Sequence, residues 1–343
     1  MEERLKENIR KIVYDRITTL RHEDKFLPEF IKFFQERFGD SLIAVIFYGS
    51  RLFDPVKNDG LYDFYVIVDF YEKVHSSIWH ILLNRILPPS VYMAEVSVDD
   101  QRVGAKYNII SFQDFIKYIV DPPEIYIVGR FSKAVYIAYA RDEDIKWKIS
   151  DLIRKAMYFC LVYTIPMLDD LEKFDLERLI FEILSLSYKG EVRIEDPNKL
   201  SNLLEADKDF YFNVYVPMFL DYVKQNEGII FEIDRSEDVF KKTWAVVGDP
   251  IPSKQEVINF LKVSARRGVL RWPKGLITFR GYREYLERKV KKSGEDVELS
   301  EIDKRYPLIF GWRHVIKLLR EGKLKSGIQR EIETKQIRQK GEI

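Results

Sequence analysis

The run Leu42-Ile43-Ala44-Val45-Ile46-Phe47-Tyr48-Gly49-Ser50-Arg51, followed by Asp63-Phe64-Tyr65-Val66-Ile67-Val68-Asp69, decides how this chain is read. Both apolar runs have strand length and β-branched or aromatic content, which predicts strands at 42–48 and 63–69. Between them Pro55, Asn58 and Gly60 supply turn chemistry. Gly49, without a Cβ, lets the backbone come close to a phosphate, and Ser50 adds a hydroxyl beside its own N–H. Asp63 stands at the mouth of the second strand, where it can hold a cation. Arg51 adds positive charge next to the turn.

Working outward, residues 3–38 are predicted to be helical, with Phe26, Phe30, Phe33 and Phe34 at helical spacing. A helix near 75–86 and strands at 92–98, 103–110 and 134–140 follow. Asp99-Asp100-Gln101-Arg102 falls between two of those strands and marks a hairpin, so its acids are turn residues rather than metal ligands. From 149 the pattern becomes helical, at 153–171, 176–187 and 210–223, punctuated by Pro197, Pro250 and Pro252. Three units are expected: an α/β domain with a mixed sheet over 1–148, a helical domain over 149–249 and a basic C-terminal region over 250–343. Within the last, residues 262–292 hold eleven Lys or Arg against two Glu, interleaved with Leu270, Trp272, Phe279, Tyr282 and Tyr285. Cations mixed with aromatics suit an anionic surface, nucleic acid or the lipid headgroups of a membrane, and the other reading of the stretch is an ordinary solvated helix packed on the second domain.

Composition narrows the class. The 343 residues, 46% hydrophobic and 32% charged, describe a globular protein long enough for two or three cores. A net charge of +1 argues against a strongly basic nucleic-acid binder, and no stable nucleic-acid partner is expected. The single cysteine, Cys160, forms no disulfide within the chain and reads as a small core residue. No apolar run reaches membrane-span length. Met1-Glu2-Glu3-Arg4 lacks leader character, and cytoplasmic residence, in a prokaryote, is the expectation.

The Gly-Ser turn and the acidic strand together meet the needs of nucleotidyl transfer: donors around a triphosphate, and an acid for Mg²⁺ on a rigid strand. Gly-Ser after a strand is also common as an ordinary turn, and a flanking Asp as a cap. Such sites commonly carry Asp-x-Asp, and here Tyr65 takes the second position. The partner carboxylate must come from elsewhere.

Later motifs decide between these readings. Ala105-Lys106-Tyr107-Asn108-Ile109-Ile110-Ser111, the run from Ile125 through Gly129, Arg130 and Lys133 to Val135, and Leu186-Ser187-Tyr188-Lys189-Gly190-Glu191-Val192-Arg193 follow in order. Trp79-His80 and Asn198-Lys199-Leu200-Ser201-Asn202 accompany them. With Tyr48-Gly49-Ser50 and Asp63 to Asp69, the chain resembles the mitochondrial-type phosphatidate cytidylyltransferases, the translocator assembly and maintenance family, over about residues 45–290. The resemblance implies a nucleotidyltransferase-fold domain followed by a winged-helix-like helical domain. It also implies a Mg²⁺-dependent reaction of CTP with phosphatidic acid giving CDP-diacylglycerol and diphosphate, at the inner face of the cell membrane.

By the same resemblance Ser50, Asp63 and Lys106 are catalytic. Tyr48, Gly49, Ser50, Arg51, Lys106, Tyr107, Arg130, Lys133, Arg193 and Lys199 meet nucleotide or phosphate, and Asp63 and Asp69 hold the metal. Departures are Arg51 for the family's second glycine, Phe70 for a second acid, loss of His and Pro from the run at 129–135, and Glu191 for Asp. Asp69 lies six residues from Asp63, about 20 Å along an extended strand, so one ion reaches both only if the strand bends. Two other readings stay open: transfer to another phosphorylated acceptor or RNA, and a non-catalytic nucleotide- or lipid-binding regulator.

Overall fold

The computed structural model describes residues 2–53, 61–171, 173–191, 199–234 and 236–278. Its centre is a five-stranded sheet, ordered β3-β4-β2-β1-β5. The strands are β1 (Leu42–Tyr48), β2 (Tyr62–Val68), β3 (Ser90–Val98), β4 (Gln101–Ser111) and β5 (Val135–Ala140). Only β2 and β4 run parallel, so the sheet is mixed, as expected. Each strand expected from the sequence forms, within two residues at either end. Asp99 and Asp100 make the turn between β3 and β4 with φ of 49° and 59°. Short polar side chains tolerate that left-handed region, which twists the backbone to match a tight hairpin.

Helices α1 (Glu2–Thr18) and α2 (Leu27–Phe38) precede the sheet, and α3 (Tyr71–Val74) and α4 (Ile78–Ile86) link β2 to β3. Phe30, Phe34 and Phe38 lie on one side of α2, one turn apart, and pack on Tyr62, Phe64 and Tyr107 of the sheet. That face is a closed aromatic core. The period of two along each strand turns Tyr48, Asp63, Tyr65, Lys106 and Asn108 to the opposite face. After β4 come α5 (Phe112–Val120) and α6 (Ile125–Val128), which border that second face.

The charged run at 141–148 opens a long helix, α7 (Glu143–Thr164), whose start is capped by the Asp142 carboxylate accepting from the Ile145 N–H at 2.7 Å. The expected division at 148 therefore falls inside a helix. Beyond it are α8 (Leu176–Lys189), α9 (Lys199–Ala206), α10 (Lys208–Gln225), a hairpin of β6 (Ile230–Glu232) and β7 (Trp244–Val246), and α11 (Lys254–Thr278). The hairpin escaped the sequence reading because neither three-residue strand carries a periodicity, and α9, at eight residues, spans only two turns. Cys160 is fully buried in α7, and burial pushes its thiol up to about 12, which keeps it a protonated core residue.

α11 begins with a reciprocal cap, in which the Ser253 N–H and hydroxyl donate to Glu256 and the Glu256 N–H donates back to the Ser253 hydroxyl. It then packs on α6 and β3. Arg271 grips fully buried Glu124 with both guanidinium nitrogens, at 2.6 and 2.5 Å, and Arg267 adds a third contact at 3.1 Å. Lys274, 4% exposed, donates to the carbonyls of Leu87 at 2.5 Å and Pro89 at 2.7 Å. Three cations of the basic stretch are thus turned into the protein, because a buried Glu and the carbonyls of the buried 87–89 segment need donors. The rest of the basic stretch, 280–292, lies outside the described residues.

Beside Lys274, Asn84 bridges to the ring of His75, whose Nε2 lies 2.8 Å from the Asn84 amide. Burial pushes His75 down to about 4, helped by the charges of His80, Lys274 and Arg37 and opposed by Glu72. The folded state thus holds this proton less tightly than the unfolded chain, whose ordinary value is 6.5. Its contribution to stability is whole above pH 6.5 and is lost as pH falls toward 4. Urea titrations of the wild type and His75→Asn should differ in their pH dependence across that window, and parallel curves would show that folding leaves the proton affinity of His75 unchanged.

Candidate active site

β1 ends at Tyr48, directly opposite Asp63 on β2, and Asp63 in turn lies opposite Lys106 on β4. The loop after β1 turns at Gly49, with φ of 93°, into a single 3₁₀ turn over Ser50–Leu52. Glycine is required there twice over. Its φ disfavours other residues, and a Cβ would lie 2.7 Å from Oδ2 of Asp63. The Asp63 carboxylate therefore rests over bare backbone, beside the exposed Ser50. Its Oδ1 meets Lys106 Nζ at 2.9 Å, and both side chains keep about a quarter of their surface open, 22% and 24%.

Asn108, two residues along β4 and so on the same face, donates its amide to the Tyr48 hydroxyl at 2.8 Å and to the Phe64 carbonyl at 3.2 Å. Burial, then the charge of Asp63, pushes Tyr48 well above its ordinary range, so the hydroxyl stays protonated. Tyr65 packs between Tyr48 and Phe131 and is 1% exposed, its hydroxyl without a hydrogen-bond partner among the described residues. The position of the usual second carboxylate is filled by a buried ring.

Arg130 and Lys133 follow α6 and face the end of α8. Arg130 lies 3.4 Å from Glu191 and stacks on Tyr126, 5.3 Å from the ring centroid. Burial alone would lower its pKa, but Glu191 with Tyr126, Tyr48 and Tyr65 outweighs burial and holds it well above its ordinary value. Arg271 lies over the same Tyr126 ring, 4.1 Å from its centroid. Lys133 donates to the Ser187 hydroxyl at 2.7 Å and sits over the Tyr188 ring at 4.1 Å. These contacts need close backbone approach. A Cβ on Gly129 would lie 2.6 Å from that of Ser187, and one on Gly190 would lie 2.4 Å from Ile125. The glycines of the two later motifs are the packing seam between the sheet unit and α8.

The structure thus gathers Tyr48, Gly49, Ser50, Asp63, Lys106, Arg130 and Lys133 on one face, and it corrects three expectations. Tyr107 points the other way, into the aromatic core with Phe33, Phe34, Phe38 and Tyr92, because it alternates with Lys106. Arg51 is 6% exposed and lies over the Tyr62 ring, 4.9 Å from its centroid, where Tyr62 also donates to Asp24. It fastens the turn to the N-terminal loop instead of facing open solvent. Asp69 stands at the far end of β2 from Asp63, paired with Arg141 at 3.3 Å and Lys73 at 3.6 Å. One ion cannot reach both acids. Arg193 lies outside the described residues, as does the side chain of Lys199.

Asn108, Tyr126, Glu124 and Arg271 were missed. Asn108 was legible by its two-residue offset from Lys106 and Tyr126 by its turn-length offset from Arg130, whereas Glu124 and Arg271 are far apart in sequence with no local signal.

The face thus holds an open acid over a glycine turn, a facing lysine, and Arg130 and Lys133 nearby, on a mixed α/β sheet. Residues 46–263, more than half of the chain, match the family model described as phosphatidate cytidylyltransferase, mitochondrial, and the chain belongs to that family. Relatives include the mitochondrial phosphatidate cytidylyltransferases of Caenorhabditis briggsae, 27% identical over 53% of this chain and 62% of the relative, and of Caenorhabditis elegans, 25% identical over 48% and 56%. The matches therefore span about six-tenths of those relatives' length. A nucleotidyltransferase-like protein from Exiguobacterium sibiricum aligns over 87% of this chain and 92% of its own at 10% identity, with a TM-score of 0.24. That likeness is too loose to bear on function.

Proposed function

We propose that this protein is a phosphatidate cytidylyltransferase, joining CTP to phosphatidic acid to give CDP-diacylglycerol and diphosphate. The observation that carries the reading is the Asp63 carboxylate, held over the bare backbone of Gly49 and facing Lys106, in a chain of this family. The triphosphate lies along the Gly49-Ser50 turn, where the Ser50 hydroxyl and backbone donate to its oxygens. Lys106 turns from Asp63 to phosphate, and Arg130 and Lys133 take the remaining charge. An oxygen of the lipid phosphate forms a bond to the α-phosphorus as the bond from that phosphorus to the bridging oxygen of diphosphate breaks. The attacking phosphate is already ionised at neutral pH, so the site needs no strong general base.

Among the described residues no group of three His, Cys, Asp or Glu side chains gathers, and Asp63 is the acid held against Lys106 and the Gly49 turn. One carboxylate supplemented by substrate phosphates is a common arrangement for Mg²⁺, so Asp63 would hold that ion without Asp69. When bound, the ion would offset phosphate charge. The helical unit with its β6–β7 hairpin has the parts of a winged-helix-like domain, and we place the protein in the cytoplasm at the inner face of the membrane.

Radiolabelled CTP with Mg²⁺ and phosphatidic acid vesicles tests the proposal. Label should enter the lipid phase. Label in RNA or a soluble acceptor would point to a different nucleotidyl transfer, and binding without turnover would favour a regulator, the reading that Tyr65 in the second acid's place supports.

A further inference from the structure

On α4, Ile78, Trp79, Leu82 and Ile86 are 69%, 68%, 44% and 64% exposed. Their spacing of one, four and eight residues places them along one side of the helix, while Ile81 and Asn84 on the other side are buried. Phe70, 56% exposed, lies just before the same segment. Globular surfaces seldom carry so many large apolar side chains together without a partner. The helix is also firmly held from behind. Asn84 bonds to His75 and to Lys274, and Lys274 in turn holds the carbonyls of Leu87 and Pro89.

We propose that this outward face of α4 is the surface on which the protein lies against an anionic lipid bilayer, an inference that rests on the phosphatidate reading above. The acyl chains of that substrate stay in the bilayer, and no described helix is long and apolar enough to cross it. A peripheral contact must then hold the protein at the bilayer. α11 is the weaker candidate, because Arg267, Arg271 and Lys274 are engaged inside the protein. α4 has the chemistry of an interfacial helix: aliphatic side chains to enter the acyl boundary, a tryptophan suited to headgroup depth, and flanking cations. Those cations are Arg85, with 63% of its side chain exposed, and Lys73, with 55%. Their partners Glu72 and Asp69 are acidic, so anionic headgroups compete with weak surface ion pairs.

The test uses the full chain and phosphatidylcholine vesicles with or without phosphatidylglycerol, which brings charge but no substrate. The wild type should sediment with the anionic vesicles, and a Trp79→Ser, Leu82→Gln variant should bind them about tenfold more weakly or worse. Transfer to a short-chain, dispersed phosphatidate should be equal in the two proteins. A fluorophore on Ile78→Cys reads the face directly, since Cys160 is buried. Its emission should shift to the blue only when anionic vesicles are added. Equal vesicle binding by both proteins overturns the proposal, as does a probe already shielded before lipid is present, which would mean that another part of the chain or a second copy covers α4. Wild-type binding without label transfer would leave the docking face standing and remove the activity assigned above.

Discussion

Under the proposed reaction, Asp63→Asn should leave a folded protein with turnover lowered by about a thousandfold or more, since the charge that would serve the triphosphate and its cation is gone while the volume is kept. The structure adds a reason to expect so clean a result. Asp63 is partly open and its pair with Lys106 is a partly solvated one, so its loss costs about 1 kcal/mol or less in stability. Equilibrium unfolding and initial rates on the same preparations check both halves. Turnover within a factor of about ten of the wild type would remove Asp63 from the chemistry, because a metal-facing carboxylate has no substitute in an amide. Tyr65 and Asp69 offer no replacement, one being a buried ring and the other paired at the far end of the strand.

The largest effect on stability is expected at Glu124, far from any motif. Its carboxylate is fully buried and is shared by Arg271 and Arg267. Glu124→Ala strands two guanidinium groups in a site built for an anion, a loss of about 3–5 kcal/mol. It should also loosen Tyr126, on whose ring both Arg271 and Arg130 rest, and so weaken binding of the proposed nucleotide. Denaturant titration measures the first effect and calorimetry with CTP the second. A loss below about 1 kcal/mol would show that the arginines reach water when the acid is removed.

What the sequence determined by itself is local. Strand length, alternation and turn chemistry fixed β1 to β5 and the Asp99-Asp100 hairpin, because φ preference and side-chain period act over a few residues. The same local rules marked Gly49, Ser50 and Asp63, while Lys106 entered only through the family resemblance. Tertiary structure decided which face each residue serves and which charges are spent inside. Tyr107 and Lys106 are neighbours in sequence, yet one packs under α2 and the other opposes Asp63, a split set by the register of β4 against β2. Arg51 reads as a phosphate ligand until the fold lays it over Tyr62. Arg267, Arg271 and Lys274 read as facing an anionic surface until Glu124 and the carbonyls of 87–89 are brought to them. Counting charges along a chain cannot reveal such partners, because a buried charge is compensated by groups that only packing brings within a few ångströms.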